Sequence, residues 1–496
     1  MRRTARFALV GLIACSVAAA QPKPSAPDDP PSSRGQFTAP SAAAPGTDKF
    51  GLPLTPPAGA TLAAPPATTA APSPTPPADE PETVRTLRAL LGPNAQLSYG
   101  AAEVIDPARG AVRLRGVVLE RPNRRVTVEE LTLDGLREDG VVEAIARELV
   151  LRESNGTARI AHVRVGGLSV QRPAPGEELR PDMLSLASLR LEGLSVEGAT
   201  PVAIAQLSIE DYGIGRSGRV ALEGLEVRDA GSGPVDRISL GRMTLRGLDL
   251  AASLAATVAE ETPPRPAGAW ALEMDDVALA GGGRPVGGLG ALHLSGEAAT
   301  GGAESGRLTL RNVRVEPFPG LAGWLQRFGY AALVADLTAE TRYDRSAGRL
   351  ELTSLSLAGR DIGAIGFSMM VDGVTPEAME AQDLDGMRLI SFSLRYLDQS
   401  LYSRFVRQQA REMRQSEQQV RQQLAAQAEA LTGQGGNAGA TAAIRTALQR
   451  FLRGEARELE ITARPPEPLP FSALPDSAAG GPAEVQRLLG LTATAR

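Results

Sequence analysis

Residues 184–196, LSLASLRLEGLSV, decide the fold. Apolar and other residues alternate at Leu184, Leu186, then at Leu189, Leu191, then at Leu194, Val196, the period-2 signature of a strand with one buried face. The alternation slips by one residue twice, at Ala187-Ser188 and at Gly193-Leu194. In a flat strand each slip would turn the following leucines toward solvent. A bulge or corner at each slip keeps them on one side and bends the sheet, and glycine supplies the backbone freedom such a step needs.

The same phrase recurs at VTVEELTLDGL (126–136), RIAHVRVGGLSV (159–170), RISLGRMTLRGLDL (237–250) and RLELTSLSLAG (349–359), and Asn312 stands in the glycine slot of LTLRNVRV. Between the repeats lie turn signals. Asp106-Pro107-Ala108-Arg109-Gly110 and Asp344 through Gly348 share one form, Asn155-Gly156 is a strong hairpin pair, and Ser217-Gly218 a weaker one. Hairpins make neighbouring strands antiparallel. The expected fold is mainly β, an elongated, curved antiparallel meander with a C-terminal helical hairpin. The Gly-Leu steps at 135, 167, 193, 224 and 247 are 23 to 32 residues apart, which keeps a parallel β-solenoid as the alternative and a pair of packed sandwiches as a third arrangement.

Outward from the strands, five segments are expected. Residues 1–20, MRRTARFALVGLIACSVAAA, have the basic start, apolar run and small-residue end of a signal peptide, and the run is too short to cross a bilayer. No transmembrane helix is therefore expected in the mature chain, which is read as exported to the periplasm. Cys15, the one cysteine, sits in Leu-Ile-Ala-Cys, a lipobox-like setting; lipidation there would tether the protein to the outer membrane, whereas SVAAA before Gln21 is an ordinary cleavage site. Residues 21–82 are rich in Pro, Ala, Ser and Thr and read as a disordered tether, with Phe50-Gly51-Leu52-Pro53-Leu54 its apolar cluster. Residues 83–395 form the repetitive β domain, 396–454 the helical hairpin, and 455–496 a closing strand and short helix.

Composition excludes more than it assigns. A net charge of −5 with arginine spread evenly argues against nucleic-acid binding. His162 and His293, the two histidines, lie inside strand patterns, and no nucleophile elbow, phosphate loop or Cys/His cluster is present. The glycine-rich GGGRPVGGLG (281–290) reads as a loop between strands, and Asp275-Asp276 and Asp383 with Asp385 as unremarkable acids. No enzyme, metal or cofactor is expected. The candidate site is instead apolar: Leu131, Leu133, Val163, Val165, Leu189, Leu191, Leu207, Ile209, Met243, Leu245, Leu355 and Leu357 as lining of a groove. Phe318, Leu321, Trp324, Leu325 and Phe328 fall on one helical face and are candidates for lipid or membrane contact, against the plainer role of a helix plugging the sheet. Arg404, Arg407, Arg411, Arg414 and Arg421 read as a solvated face of the long helix.

Signal, D-P-x-x-G hairpin, L-x-L-x-G-L strands and late helical hairpin together resemble the uncharacterised proteobacterial envelope proteins of the AsmA-like group, over about residues 95–465. The resemblance implies an apolar β-groove in the periplasm, associated with lipid movement or outer-membrane maintenance, with phospholipid or another envelope protein as partner. The chain departs from that group in its short signal, proline tether and modest length. A structural scaffold or interaction module of the cell envelope is the competing expectation. Mass spectrometry of the mature chain is expected to find an N-terminus at Gln21 or a lipidated Cys15; a chain still beginning at Met1 contradicts export.

Overall fold

The computed structural model describes residues 80–496 except 92–94, 155, 172–178, 230–234, 300–301, 382–385, 434–441 and 475–481. The signal, Cys15, the tether up to Ala78-Asp79, Asn155, Asp383 and Asp385 lie outside the described residues.

Among the described residues twenty strands form one sheet. The first run is β1 (Gln96–Ser98), β2 (Ala101–Asp106), β3 (Ala111–Arg121), β4 (Arg124–Arg137), β5 (Gly140–Glu153), β6 (Gly156–Val170), β7 (Leu184–Glu197), β8 (Val202–Tyr212), β9 (Gly218–Arg228) and β10 (Arg237–Leu248). It continues with β11 (Gly268–Gly281), β12 (Arg284–Ala298), β13 (Ala303–Val315), β14 (Leu333–Asp344), β15 (Arg349–Gly359), β16 (Gly363–Asp372) and β17 (Arg388–Asp398). The last strands are β18 (Glu458–Ala463), β19 (Leu469–Pro470) and β20 (Thr492–Ala495). The helices are α1 (Glu82–Leu91), α2 (Leu250–Val258), α3 (Pro319–Phe328), α4 (Pro376–Ala381), α5 (Leu401–Met413), α6 (Glu417–Gly433), α7 (Ala442–Arg453) and α8 (Pro482–Leu489).

From β3 to β18 every strand pairs antiparallel with the next in sequence. The solenoid alternative therefore does not hold. At one edge β1 and β2 both pair with β3; at the other, β19 pairs with β17 and β20 with β18, so the meander stays open. The two Asp-to-Gly hairpins share one mechanism. Asp106 Oδ1 accepts from the Ala108 and Arg109 amides, Asp344 Oδ1 from those of Ser346 and Ala347, and Gly110 and Gly348 each take positive φ.

Bulges, which set an extra residue into one strand, occur at the slips of Gly247, Arg311-Asn312 and Thr353-Ser354, as expected, but the slips between β3 and β9 are of another kind. Ile160 pairs Leu194 and His162 pairs Glu192, leaving Ala161 and Gly193 face to face with no change of register. Such unladdered positions line up across twelve strands. Residues in the left-handed region (Gly116, Glu148, Gly193, Gly224, Asp276, Asn312) alternate along the line with ordinary ones (Glu129, Ala161, Ala205, Gly241, Gly290, Asp336). A second line runs through Gly135, Val142, Gly167, Ala187 and Asp211, six residues along the strands from the first. These are two transverse creases. Across the first, apolar residues three apart share a face, as Leu191 with Leu194 and Ile204 with Leu207 do in the same buried cluster. Register-shifting irregularities occur between β2 and β3 and from β9 to β17.

Other corrections are local. Only Gly282-Gly283 of GGGRPVGGLG form the turn, both at positive φ; Gly281 ends β11 and Gly287, Gly288 and Gly290 belong to β12, where Gly288 lies so close to the Val277 carbonyl that a Cβ would meet it at 2.8 Å. The expected long helix breaks at Arg414, which is left-handed, and restarts through a capping box in which Ser416 Oγ accepts from the Gln419 amide and Gln419 Oε1 from the Ser416 amide. The expected closing strand is β18, which joins β17 after the helices, and an unexpected β20 joins β18.

A Gly224→Val substitution places a β-branched residue at φ +64° with its Cβ 2.8 Å from that of Ala205. It is expected to cost at least about 2 kcal/mol in urea unfolding. Glu148→Gly, at φ 49°, is expected to be neutral or to stabilise by up to about 1 kcal/mol; equal destabilisation by both would contradict the crease.

Candidate functional site

Two cross-strand rows run side by side along one face of the sheet. The first passes from Leu114 on β3 through Leu131, Val163, Leu191, Leu207, Met243, Leu292, Leu310 and Leu357 to Tyr396, Leu459 and Ala495. The second passes from Val112 through Leu133, Val165, Leu189, Ile209, Leu245, Leu294 and Leu355 to Phe367, Ile461 and Ala493, by the same pairings. Each step of both rows is apolar. All twelve groove candidates read from the sequence fall on them, six on each.

The opposite face is charged. Between β3 and β11 one outward row reads Arg115, Glu130, Arg147, His162, Glu192, Gln206, Glu223, Arg242, Asp275. Arg147 lies 3.6 Å from Glu130 and Arg242 3.4 Å from Glu223. Such exposed pairs contribute ~0–1 kcal/mol each. Their effect is to mark which face meets water. His293 sits 3.7 Å from Glu273 in the same setting.

Burial along the apolar rows changes with position. A lone flat sheet leaves each face half-wet, yet Val220 and Leu222 are 1% exposed, so the strands curl until neighbouring rows pack on each other. In β7 to β11 they form one cluster with Leu250 and Ala251 of α2. Beyond β11 the rows continue while the burial lapses. Leu292, Leu294, Leu308, Leu310, Leu337 and Leu355 are half-buried, and Leu357 and Ile365, paired across β15 and β16, are 45% and 44% exposed. The apolar face is thus only partly covered over β12 to β16, where a trough is the candidate site.

Helices close the two ends. At the C-terminal end α7 sets Ala447 and Ile444 against Leu459, Ile461, Ala493 and Ala495, and its Phe451 meets Tyr396 edge-on at 5.7 Å. The late helices thus cover the last strands of the rows. At the N-terminal end α1 drives the fully buried Val84 between Val112 and Leu114. A polar clamp holds it: Glu80, its side chain 2% exposed, accepts from Arg88 at 2.7 Å and from the Tyr99 hydroxyl at 3.1 Å, while Arg88 also donates to the Leu97 carbonyl.

The expected lipid-contact helix is α3, and it does not present its apolar residues on one face. Leu325 is fully buried and Phe318 and Trp324 are exposed, Trp324 being stacked 5.8 Å from Tyr330 and tilted 5.1 Å from Phe328. The cause is a dock to α5. Arg404 lies 4.2 Å above the Tyr330 ring and donates to the carbonyls of Phe328 and Gly329, which turns part of α3 inward. Of the arginines expected on a solvated face, Arg404 is therefore structural, Arg421 lies 5.1 Å from the Tyr402 ring, and Arg407 pairs with Glu417. Among the described residues no helix is long and apolar enough to cross a membrane.

A family model described as an uncharacterized protein matches residues 356–496, the end of β15 through β20, under a third of the chain. Comparison with curated proteins finds no match.

The Arg88 hydrogen bond holds the Glu80 carboxyl below its usual range despite burial. A lowered folded pKa gives stability that is present above the unfolded value and lost as pH falls through the folded one. Amide exchange of Val84–Leu91 is accordingly expected to stay slow at neutral pH and to accelerate on acidification through that range, with Glu80→Gln fast throughout; pH-independent protection contradicts the clamp.

Proposed function

We propose that the protein is a non-enzymatic component of the cell envelope whose trough takes up phospholipid acyl chains, in support of lipid movement or outer-membrane maintenance. The observation that carries this reading is the continuity of the two apolar rows through β12 to β16, where the burial they have in β7 to β11 is lost. Fully burying a leucine or isoleucine side chain returns ~1.5–3 kcal/mol, so covering the exposed half of Leu357 and of Ile365 returns ~1 kcal/mol each, before the flanking rows are counted. An acyl chain matches the geometry because it is unbranched, apolar and long enough to lie across several strands 4.7–4.9 Å apart. The charged outer face supplies the water-soluble exterior that a lipid-holding periplasmic protein needs. The signal-like N-terminus, the lipobox-like Cys15 and the AsmA-like style of repeat support the same cellular setting.

The structural-scaffold reading draws on the helices at the C-terminal end, which leave the trough itself unexplained.

Protein purified without detergent is expected to carry phospholipid detectable by lipid mass spectrometry. The paired substitution Leu357→Asp and Ile365→Asp should reduce that load at least about fivefold while leaving the unfolding midpoint within about 1 kcal/mol, since both positions are exposed. A lipid-free wild type that also fails to take up a fluorescent fatty acid would overturn the proposal.

A further inference from the structure

The loops from β13 to β14, β15 to β16 and β17 to β18 all leave the sheet at one rim, because Val315 pairs Leu333, Gly359 pairs Gly363 and Gly363 pairs Asp398. Leu357 and Ile365, the most exposed members of the apolar rows, lie two residues inside this rim. On the rim stand α3 and α5. They are fastened to each other by Arg404 on Tyr330, by the Tyr330 hydroxyl 3.0 Å from Ser400 Oγ, and by Arg327 2.5 Å from Glu412. A helix that only plugged the sheet would turn its large apolar groups inward, as it does Leu325. Phe318, Trp324, Phe405 and Met413 point to solvent instead.

The charge around them is one-sided. From Pro319 to Phe328 and from Leu401 to Arg414 there are five arginines and one acid, Glu412, in a chain whose net charge is −5; Arg327 pairs with Glu412 and Arg407 with Glu417 just beyond. Arg411 and Arg414 are exposed at the end of α5 beside Met413. Exposed aromatic rings set among arginines suit the boundary between headgroups and acyl chains, where rings bury their edges and guanidinium groups meet phosphates. A protein partner would be expected to leave such rings in a pocket-shaped surface; a bilayer needs only a rim that stands proud.

We propose that the α3 and α5 rim docks on the surface of an anionic phospholipid bilayer and sets the open end of the trough against it, so that acyl chains pass from the membrane onto Ile365 and Leu357. This rests on the acyl-chain reading of the trough and adds the place where lipid enters.

Vesicle flotation of the full chain tests it, with phosphatidylcholine alone and with added phosphatidylglycerol. The wild type should float with the anionic vesicles and dissociate as salt is raised. Phe318→Ser with Trp324→Ser should lose at least about tenfold in vesicle affinity, and Arg411→Gln with Arg414→Gln roughly fivefold per arginine on anionic vesicles alone. In a Trp270→Phe background, Trp324 is the only tryptophan left, and its emission should shift to the blue on adding anionic vesicles, a readout that does not depend on the Ser variants folding. Leu357→Asp with Ile365→Asp should keep vesicle binding while losing bound lipid, which separates failure of the rim from failure of the trough. Wild-type protein that floats with neither vesicle, floats equally with both, or shows no shift of Trp324 emission overturns the proposal.

Discussion

A backbone that steps into the left-handed region on every second strand, at the same height across the sheet, is the constraint on which the rest of the structure depends. An L-residue other than glycine pays ~1–2 kcal/mol to sit there, and at two of the steps the facing residue is small: Gly193 faces Ala161 and Gly224 faces Ala205. Without the step, a strand such as β7 would turn Leu194 and Val196 toward water as soon as Leu189 and Leu191 were buried. With it, leucines on both sides of the crease stay on one face, and a single sheet curls far enough to bury Val220 and Leu222 almost completely.

The curl divides the molecule by chemistry as well as by shape. Arginine and glutamate pairs occupy the outer face, and two unbroken apolar rows the inner one. α1 closes those rows at β3 and α7 closes them at β18 and β20, while α2 fills the bend over β7 to β11. What remains uncovered, β12 to β16, is the stretch beside the aromatic and arginine-bearing rim.

Much of this was legible in the sequence. Period-2 leucines gave the strands, Asp-to-Gly turns their antiparallel order, and glycine at 135, 167, 193, 224 and 247 the positions of positive φ. The creases themselves were only half-legible, because Glu148, Asp211 and Asp276 adopt the same conformation without being glycine, and Asp275-Asp276 looked like a chance pair of acids. Which residue faced which glycine depends on register, which one strand's pattern does not contain. The break between α5 and α6 had a readable signal in Ser416 and Gln419, overlooked because the apolar spacing runs on through it. β20, four residues of Thr and Ala, has too little apolar pattern to announce itself and forms because β18 offers an unpaired edge. The inward turn of Leu325 fits the plainer reading of a helix plugging the sheet, whereas the dock of that helix on Arg404, some 75 residues away, was not legible.

The central claim is that one apolar face runs the length of the sheet, is best covered over β8 to β11 and is most exposed at Leu357 and Ile365 of β15 and β16. Since the chain's single cysteine is Cys15, thiols introduced one at a time into a Cys15→Ser background at Leu222, Leu292, Leu357 and Arg147 would report on that face directly. Maleimide labelling is predicted to be slowest at 222, intermediate at 292 and fast at 357 and 147, with phospholipid protecting 292 and 357 while leaving 147 unchanged. Equal labelling of 222 and 357, or protection of 147 on the outer face, would contradict the account.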